Sequence, residues 1–111
     1  MLNQTLMQEV SQLEANLCSA FADPTRILIL YALSEDPRNV TELTNELGTT
    51  QSTTSRHLKI LRDRGLVRTT RDGVNIIYDL ADRRLIEALD ILRGVLRDSI
   101  NVKANLIAEL E

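Results

Sequence analysis

The sequence predicts a mainly helical fold with one small β-hairpin, a winged helix-turn-helix in the order α-α-α-α-β-β-α. Three observations carry this. Apolar residues recur every three or four positions through both ends of the chain. Two short helical patterns in the middle are separated by a turn at Gly48. The period then changes to that of strands on either side of Arg71-Asp72-Gly73. The 111 residues suit one domain, 1–111, and are too few for two independent cores.

Leu2, Leu6, Val10, Leu13, Leu17 and Phe21 lie on one face of a first helix within 1–22. Asp23-Pro24 interrupts it, because Asp caps and Pro suits the first helical position. The next helix, about 24–33, carries Ile27, Leu28, Ile29, Leu30, Tyr31 and Leu33. It is apolar nearly all round, which predicts the central buried helix. Residues 34–37 read as a loop. A helix-turn-helix over 41–64 follows. Thr41 is its expected N-cap, with Leu43 and Leu47 inside and Gly48 at the left-handed end position. Its second helix, about 51–64, has Thr54, Leu58 and Leu61 as the inner stripe and stops at Gly65. The wing, 66–80, is rich in Val, Thr, Ile and Tyr. Asp82 is expected to cap a long last helix over 82–111, lined by Leu85, Leu89, Leu92, Leu96, Ile100, Leu106 and Leu110. The first and last helices have more apolar surface than so small a unit can cover. Pairing with a second copy through 1–22 and 82–111 is the simplest remedy.

Composition excludes several functions. Apolar residues are 43% and charged residues 26%, the balance of a globular domain rather than a disordered tail. Aromatics are 3% with no Trp, which argues against an aromatic cage. The one cysteine, Cys18, excludes an internal disulfide and any zinc site of several thiolates within one chain. No run approaches the roughly 18 apolar residues of a membrane span, and no basic-then-apolar leader opens the chain. No membrane partner and a cytoplasmic location are therefore expected.

The net charge of −3 argues at first against nucleic acid. Its distribution reverses that. Residues 51–71 hold Arg56, Lys59, Arg62, Arg64, Arg68 and Arg71 against Asp63 alone, a local +5 that leaves −8 elsewhere. DNA affinity follows local phosphate neutralisation, not whole-chain charge. Thr49, Thr50, Gln51, Ser52, Thr53, Ser55, Arg56 and His57 crowd the start of the second helix with short hydrogen-bonding groups. Such groups suit base edges in the major groove of double-stranded DNA. Gln51, Ser52, Ser55 and Arg56 are the expected base contacts. Thr50 or Ser52 instead caps the helix. Thr54 packs. His57 is expected to hydrogen-bond DNA or backbone, since no second His or nearby Cys makes it a metal ligand. Lys59, Arg62 and Arg64 suit phosphates, with pairing to acidic neighbours the alternative for the two arginines. Arg68 and Arg71 flank the wing and suit the backbone or the minor groove.

The segments FADPTRILILYAL and TELTNELGTTQSTTSRHLKILRDRGLVRTTRDGVNIIYDL resemble the arsenic-repressor (ArsR/SmtB) family of bacterial and archaeal transcription regulators. The resemblance covers about residues 13–98. It implies a homodimeric winged helix that binds an inverted-repeat (palindromic) operator, usually as a repressor, and pairs through its first and last helices. It also implies metal sensing, from which this chain departs. Asn39-Val40-Thr41 stands where the family's Cys-x-Cys pair belongs. Asp82, Arg84, Val95 and Asp98 stand at the family's last-helix site, with no imidazole among them. Two carboxylates without nitrogen or sulfur ligands hold zinc or cobalt poorly. An Arg84–acid pair across the dimer could take the metal's place. No metal or cofactor is expected, and no inducer is specified. Cys18 reads as a small packed residue beneath Leu17 and Phe21; the alternative is a redox-active or soft-metal-binding thiol near the dimer seam.

Two other classes compete. A winged helix that binds only proteins is disfavoured by the +5 segment and the polar helix start. An enzyme is disfavoured because the chain has no nucleophile–base pair, no Gly-rich phosphate loop and no ligand cluster. Asp36/Glu42 and Asp79/Asp82 read as surface charges and caps.

Overall fold

Capping residues decide where each helix of the computed structural model begins; the structure describes residues 1–110. Helix α1 spans Gln4–Ala20, with Val10–Glu14 wound as a π-helix. Asn3 caps it by accepting the Leu6 N–H at 2.7 Å. Asp23 then accepts the Thr25 N–H at 2.8 Å and Pro24 opens α2, Pro24–Glu35. The helix thus runs two residues into the predicted loop. α3 spans Val40–Leu47, capped by Asn39 and not by Thr41 as the sequence suggested. Asn39 Oδ1 accepts the Glu42 N–H at 2.9 Å, and the Glu42 carboxylate accepts the Asn39 N–H at 3.1 Å. This reciprocal pair satisfies two free donors at once, which a Thr41 cap could not match. Gly48 ends the helix at φ 65°.

α4 spans Gln51–Asp63. The wing follows as antiparallel strands β1, Val67–Asp72, and β2, Asn75–Leu80. Asp72 pairs with Asn75, so the turn is the two residues Gly73 and Val74. Gly73 at φ 61° supplies the positive φ that a two-residue hairpin needs at its first position. Arg71 and Asp72, read from sequence as turn, are paired strand residues. α5 spans Arg84–Leu110, and the Asp82 carboxylate accepts the Arg84 N–H at 2.9 Å, as its predicted cap.

The core gathers Ile29, Leu30 and Leu33 of α2, Leu43 of α3, and Leu58 and Leu61 of α4, all at most 1% exposed. Leu66, Val67, Leu80 and Leu89 close it from the wing and α5. α2 is central, yet Leu28 is exposed and Ile27 and Tyr31 are half-buried, so it is not covered all round. Arg38 bridges to Tyr78 through backbone hydrogen bonds of 3.0 and 2.8 Å, which ties the entry of α3 to the wing. Leu61→Ala is expected to cost about 2–5 kcal/mol, because the site is closed on all sides and collapses only partly. Urea denaturation at fixed protein concentration would measure it.

The outer helices behave differently. α1 buries only Ala20, with Leu17 half-buried, and α5 buries only Leu89. The radius of gyration is 17.6 Å, whereas a compact chain of this length has about 13 Å. Both helices therefore project beyond the core with their apolar residues in water. Cys18 is exposed and not packed as the sequence suggested. Leu17, Ala20 and Phe21 are the residues that turn inward there.

Candidate nucleic-acid interface

α4 has two faces with opposite chemistry. Thr54, His57, Leu58 and Leu61, spaced i, i+3, i+4, i+7, are buried. Gln51, Ser52, Ser55, Arg56, Lys59 and Arg62 are exposed. The buried face fixes how the helix sits. Thr44 Oγ1 donates to Thr54 Oγ1 at 2.9 Å, and Thr54 Oγ1 donates to the Thr50 carbonyl at 3.0 Å. This hydroxyl chain pins α3 against the first turn of α4, so Thr54 packs and does not read.

The N-terminus resolves the capping alternative. Thr50 is the cap: its Oγ1 accepts the Thr53 N–H at 3.2 Å and donates to Thr53 Oγ1 at 2.8 Å. That hydroxyl is committed to the helix, as the capping alternative has it for Thr50. Ser52 remains exposed, with only a 3.4 Å approach to Thr50 Oγ1.

His57 is also corrected. Its ring is 3% exposed and cannot reach DNA. Nδ1 lies 3.2 Å from Arg26 Nη1, which makes it an acceptor, and Nε2 lies 3.9 Å from Asp23 Oδ1. Arg26 completes the arrangement by donating its Nε–H to the Ala20 carbonyl at 2.7 Å. Arg26 is the residue sequence reasoning missed here. Burial pushes the imidazole below its ordinary 6.5; Asp23 opposes this, and Arg56 and Arg26 add to it. The unfolded chain then binds the proton more readily than the folded one. Stability is complete above about pH 6.5 and falls as pH drops from there through the lower folded value. His57 is the only histidine, so His57→Gln is expected to flatten the denaturation midpoint across this window, measured in urea at a series of pH values.

The cations differ in how free they are. Arg56 and Arg62 have no ion-pair partner among the described residues. Lys59 meets Asp63 at 3.9 Å with both side chains largely in water, a weak contact. Arg64 is committed elsewhere: it donates to the Asn16 carbonyl and Ser19 Oγ of α1. In the wing, Arg68 faces Asp79 across the ladder at 3.9 Å, and Arg71 faces Ile76 beside the turn. Three residues apart on a strand, they lie on opposite faces, so the hairpin does not bring them together.

The last-helix position does not suit a metal. Arg84 binds Asp82 through its own chain, Nη2 to Oδ2 at 2.7 Å and Nε to both oxygens at 3.1 and 3.2 Å. These side-chain bonds, with the Arg84 N–H, pull the Asp82 carboxyl down to about 2. The pair forms within one chain, and it occupies the carboxylate oxygens a cation would need. Val95 and Asp98 are exposed further along α5. No three His, Cys, Asp or Glu among the described residues could share a metal ion.

A family model described as "Bacterial regulatory protein, arsR family" matches residues 23–69, from the α2 cap into β1. The chain is 37% identical to the HTH-type transcriptional repressor SmtB of Mycobacterium tuberculosis over 94 residues, covering 84% of this chain and 70% of that one. The chain belongs to the arsR family. A further relative is the HTH-type transcriptional regulator NmtR of Mycobacterium tuberculosis, 40% identical; the match covers 68% of this chain and spans 63% of NmtR. Among solved structures, M. tuberculosis Rv0081 matches with a TM-score of 0.77 and 34% identity, over 86% of this chain and 96% of that one. This arsR-family chain is thus a winged helix-turn-helix transcriptional regulator.

Proposed function

We propose that this regulator binds an inverted-repeat operator in double-stranded DNA as a homodimer, represses transcription there, and works in the cytoplasm without catalysis. The carrying observation is the two-faced α4. One side is locked into the core, and the other offers Gln51, Ser52, Ser55 and Arg56 beside Arg62, which has no ion-pair partner among the described residues, and the weakly held Lys59. The first four contact base edges in the major groove. Lys59, Arg62 and Arg71 contact phosphates, and Arg68 contributes less because Asp79 opposes it. Dimerisation is supported by the uncovered apolar faces of α1 and α5. No single helix among the described residues is long and apolar enough to cross a membrane. The −8 outside residues 51–71 repels phosphate and favours one docking face.

Selection from random duplex DNA with the full chain tests the reading. Enrichment of two inverted half-sites about one helical turn apart is expected. Binding should weaken steeply with salt, by about 0.9 in log–log slope for each phosphate contacted. Failure to enrich any sequence would remove specific DNA reading and favour a protein-binding winged helix.

A further inference from the structure

We infer that Arg26 and Arg64 form a two-point bracket that sets the angle between α1 and the reading helix α4, and so the half-site spacing the dimer accepts. The inference rests on the dimeric reading above. α1 leaves the body nearly at right angles to α2, at 85°. Its apolar packing is confined to its last turn, at Leu17 and Ala20, with Phe21 just beyond. Such a foothold fixes position but leaves a long helix free to swivel.

Hydrogen bonds supply the missing constraint. Arg26, in the first turn of α2, donates to the Ala20 carbonyl at 2.7 Å and the Ser19 carbonyl at 3.4 Å. Carbonyls at a helix C-terminus lack partners within the helix, so the Ala20 carbonyl is free to take the Arg26 bond, while the Ser19 carbonyl also accepts the Ala22 N–H at 3.3 Å. The same guanidinium bonds His57 Nδ1 at 3.2 Å, in the middle of α4. Arg64, the C-cap residue of α4, reaches the Asn16 carbonyl and Ser19 Oγ. The last turn of α1 is therefore tied to α4 at residues 57 and 64, about 10 Å apart along the helix. One tie permits rotation in any direction; two separated ties leave only rotation about the line joining them, which the packing of Leu17, Ala20 and Phe21 opposes.

The lever arm makes the angle matter. The seventeen residues of α1 span about 25 Å. A swivel of about 15° moves the far end by about 6 Å, near two base-pair steps of about 3.4 Å each. With α1 in the pairing face, such a swivel changes the separation of the two reading helices.

Arg64 is the position to test, because it is exposed and outside the core, whereas Arg26 is bound to a buried ring. The probe is a set of duplexes carrying the half-site selected by wild type, twice and inverted, with spacers lengthened or shortened one base pair at a time. Wild type is expected to show one sharp optimum. Arg64→Ala is expected to remain dimeric by sedimentation and to select the same half-site. It should lose about tenfold at the optimum, the scale of a single base-pair mismatch, while neighbouring spacings change little, so the profile broadens. Both contacts use the single Nη1 group, so Arg64→Lys, which keeps one cationic donor nitrogen on a shorter side chain, should fall between. An unchanged profile overturns the bracket. So does an equal loss at every spacing, which would make Arg64 a phosphate contact. A wild type indifferent to spacing removes the dimeric reading and the bracket with it.

Discussion

Arg56→Ala is expected to lose specific operator binding while the chain stays folded and dimeric. Arg56 is exposed on the second turn of α4 and has no ion-pair partner among the described residues, so nothing in the fold competes for its guanidinium. A bidentate arginine–base contact contributes about 1–3 kcal/mol of discrimination. A symmetric dimer makes it twice, so the loss doubles to about 2–6 kcal/mol, against a whole specific-over-nonspecific margin of about 4–10 kcal/mol. The fold should not suffer, because alanine is a strong helix former at an exposed position. Lys59→Ala provides the contrast. It should weaken all sequences alike and lower the salt slope by about one per site. Titration of operator and scrambled DNA at several salt concentrations separates the two. Unchanged operator affinity in Arg56→Ala would refute the assignment. A second signature is available, because Arg56 helps hold the His57 imidazole below its ordinary value. Its removal should raise the pH at which that ring titrates by NMR.

The architecture was legible because the chain announces its periods. Thr54, Leu58 and Leu61 marked the inner face of α4, and Leu43 that of α3. His57 lies at i+3 on the same stripe, so its burial was readable from spacing alone. Polarity concealed it, since a buried imidazole needs a partner, and Arg26 is thirty-one residues away. The α3 start was misread at Thr41 although Glu42 stands three residues after Asn39, the capping-box spacing. Local rules could have found that. They could not have found the exposure of Cys18 or the commitment of Arg64, because both depend on where α1 leaves the body. That angle is set by hydrogen bonds between residues far apart in sequence, and no periodicity encodes it. The opposition of Arg68 to Asp79 depended likewise on a turn of Gly73-Val74, one register that sequence alone left open.

Leu96→Glu is expected to leave a folded chain that no longer pairs. Leu96 is 56% exposed in the single chain, and Leu92 and Ile100 on the same side of α5 are equally uncovered. A carboxylate there costs the isolated chain little. Across a two-fold interface the change occurs twice. Each copy forfeits about 1.5–3 kcal/mol of leucine burial, so at least about 3–6 kcal/mol is lost before the desolvation of two carboxylates is counted. Dimerisation should weaken by two to four orders of magnitude or more. Operator affinity should fall with it, because a lone chain makes only half the contacts. The core leucines of α2, α3 and α4 are closed without a partner, so cooperative unfolding should persist. Sedimentation at matched concentrations reads the first effect and titration of inverted-repeat DNA the second. A Leu96→Glu chain that still sediments as a dimer and binds like wild type would show that α5 pairs through another face. In that case the exposed Ile91, Val95 and Val102 stripe becomes the seam, and Val95→Glu should break it instead.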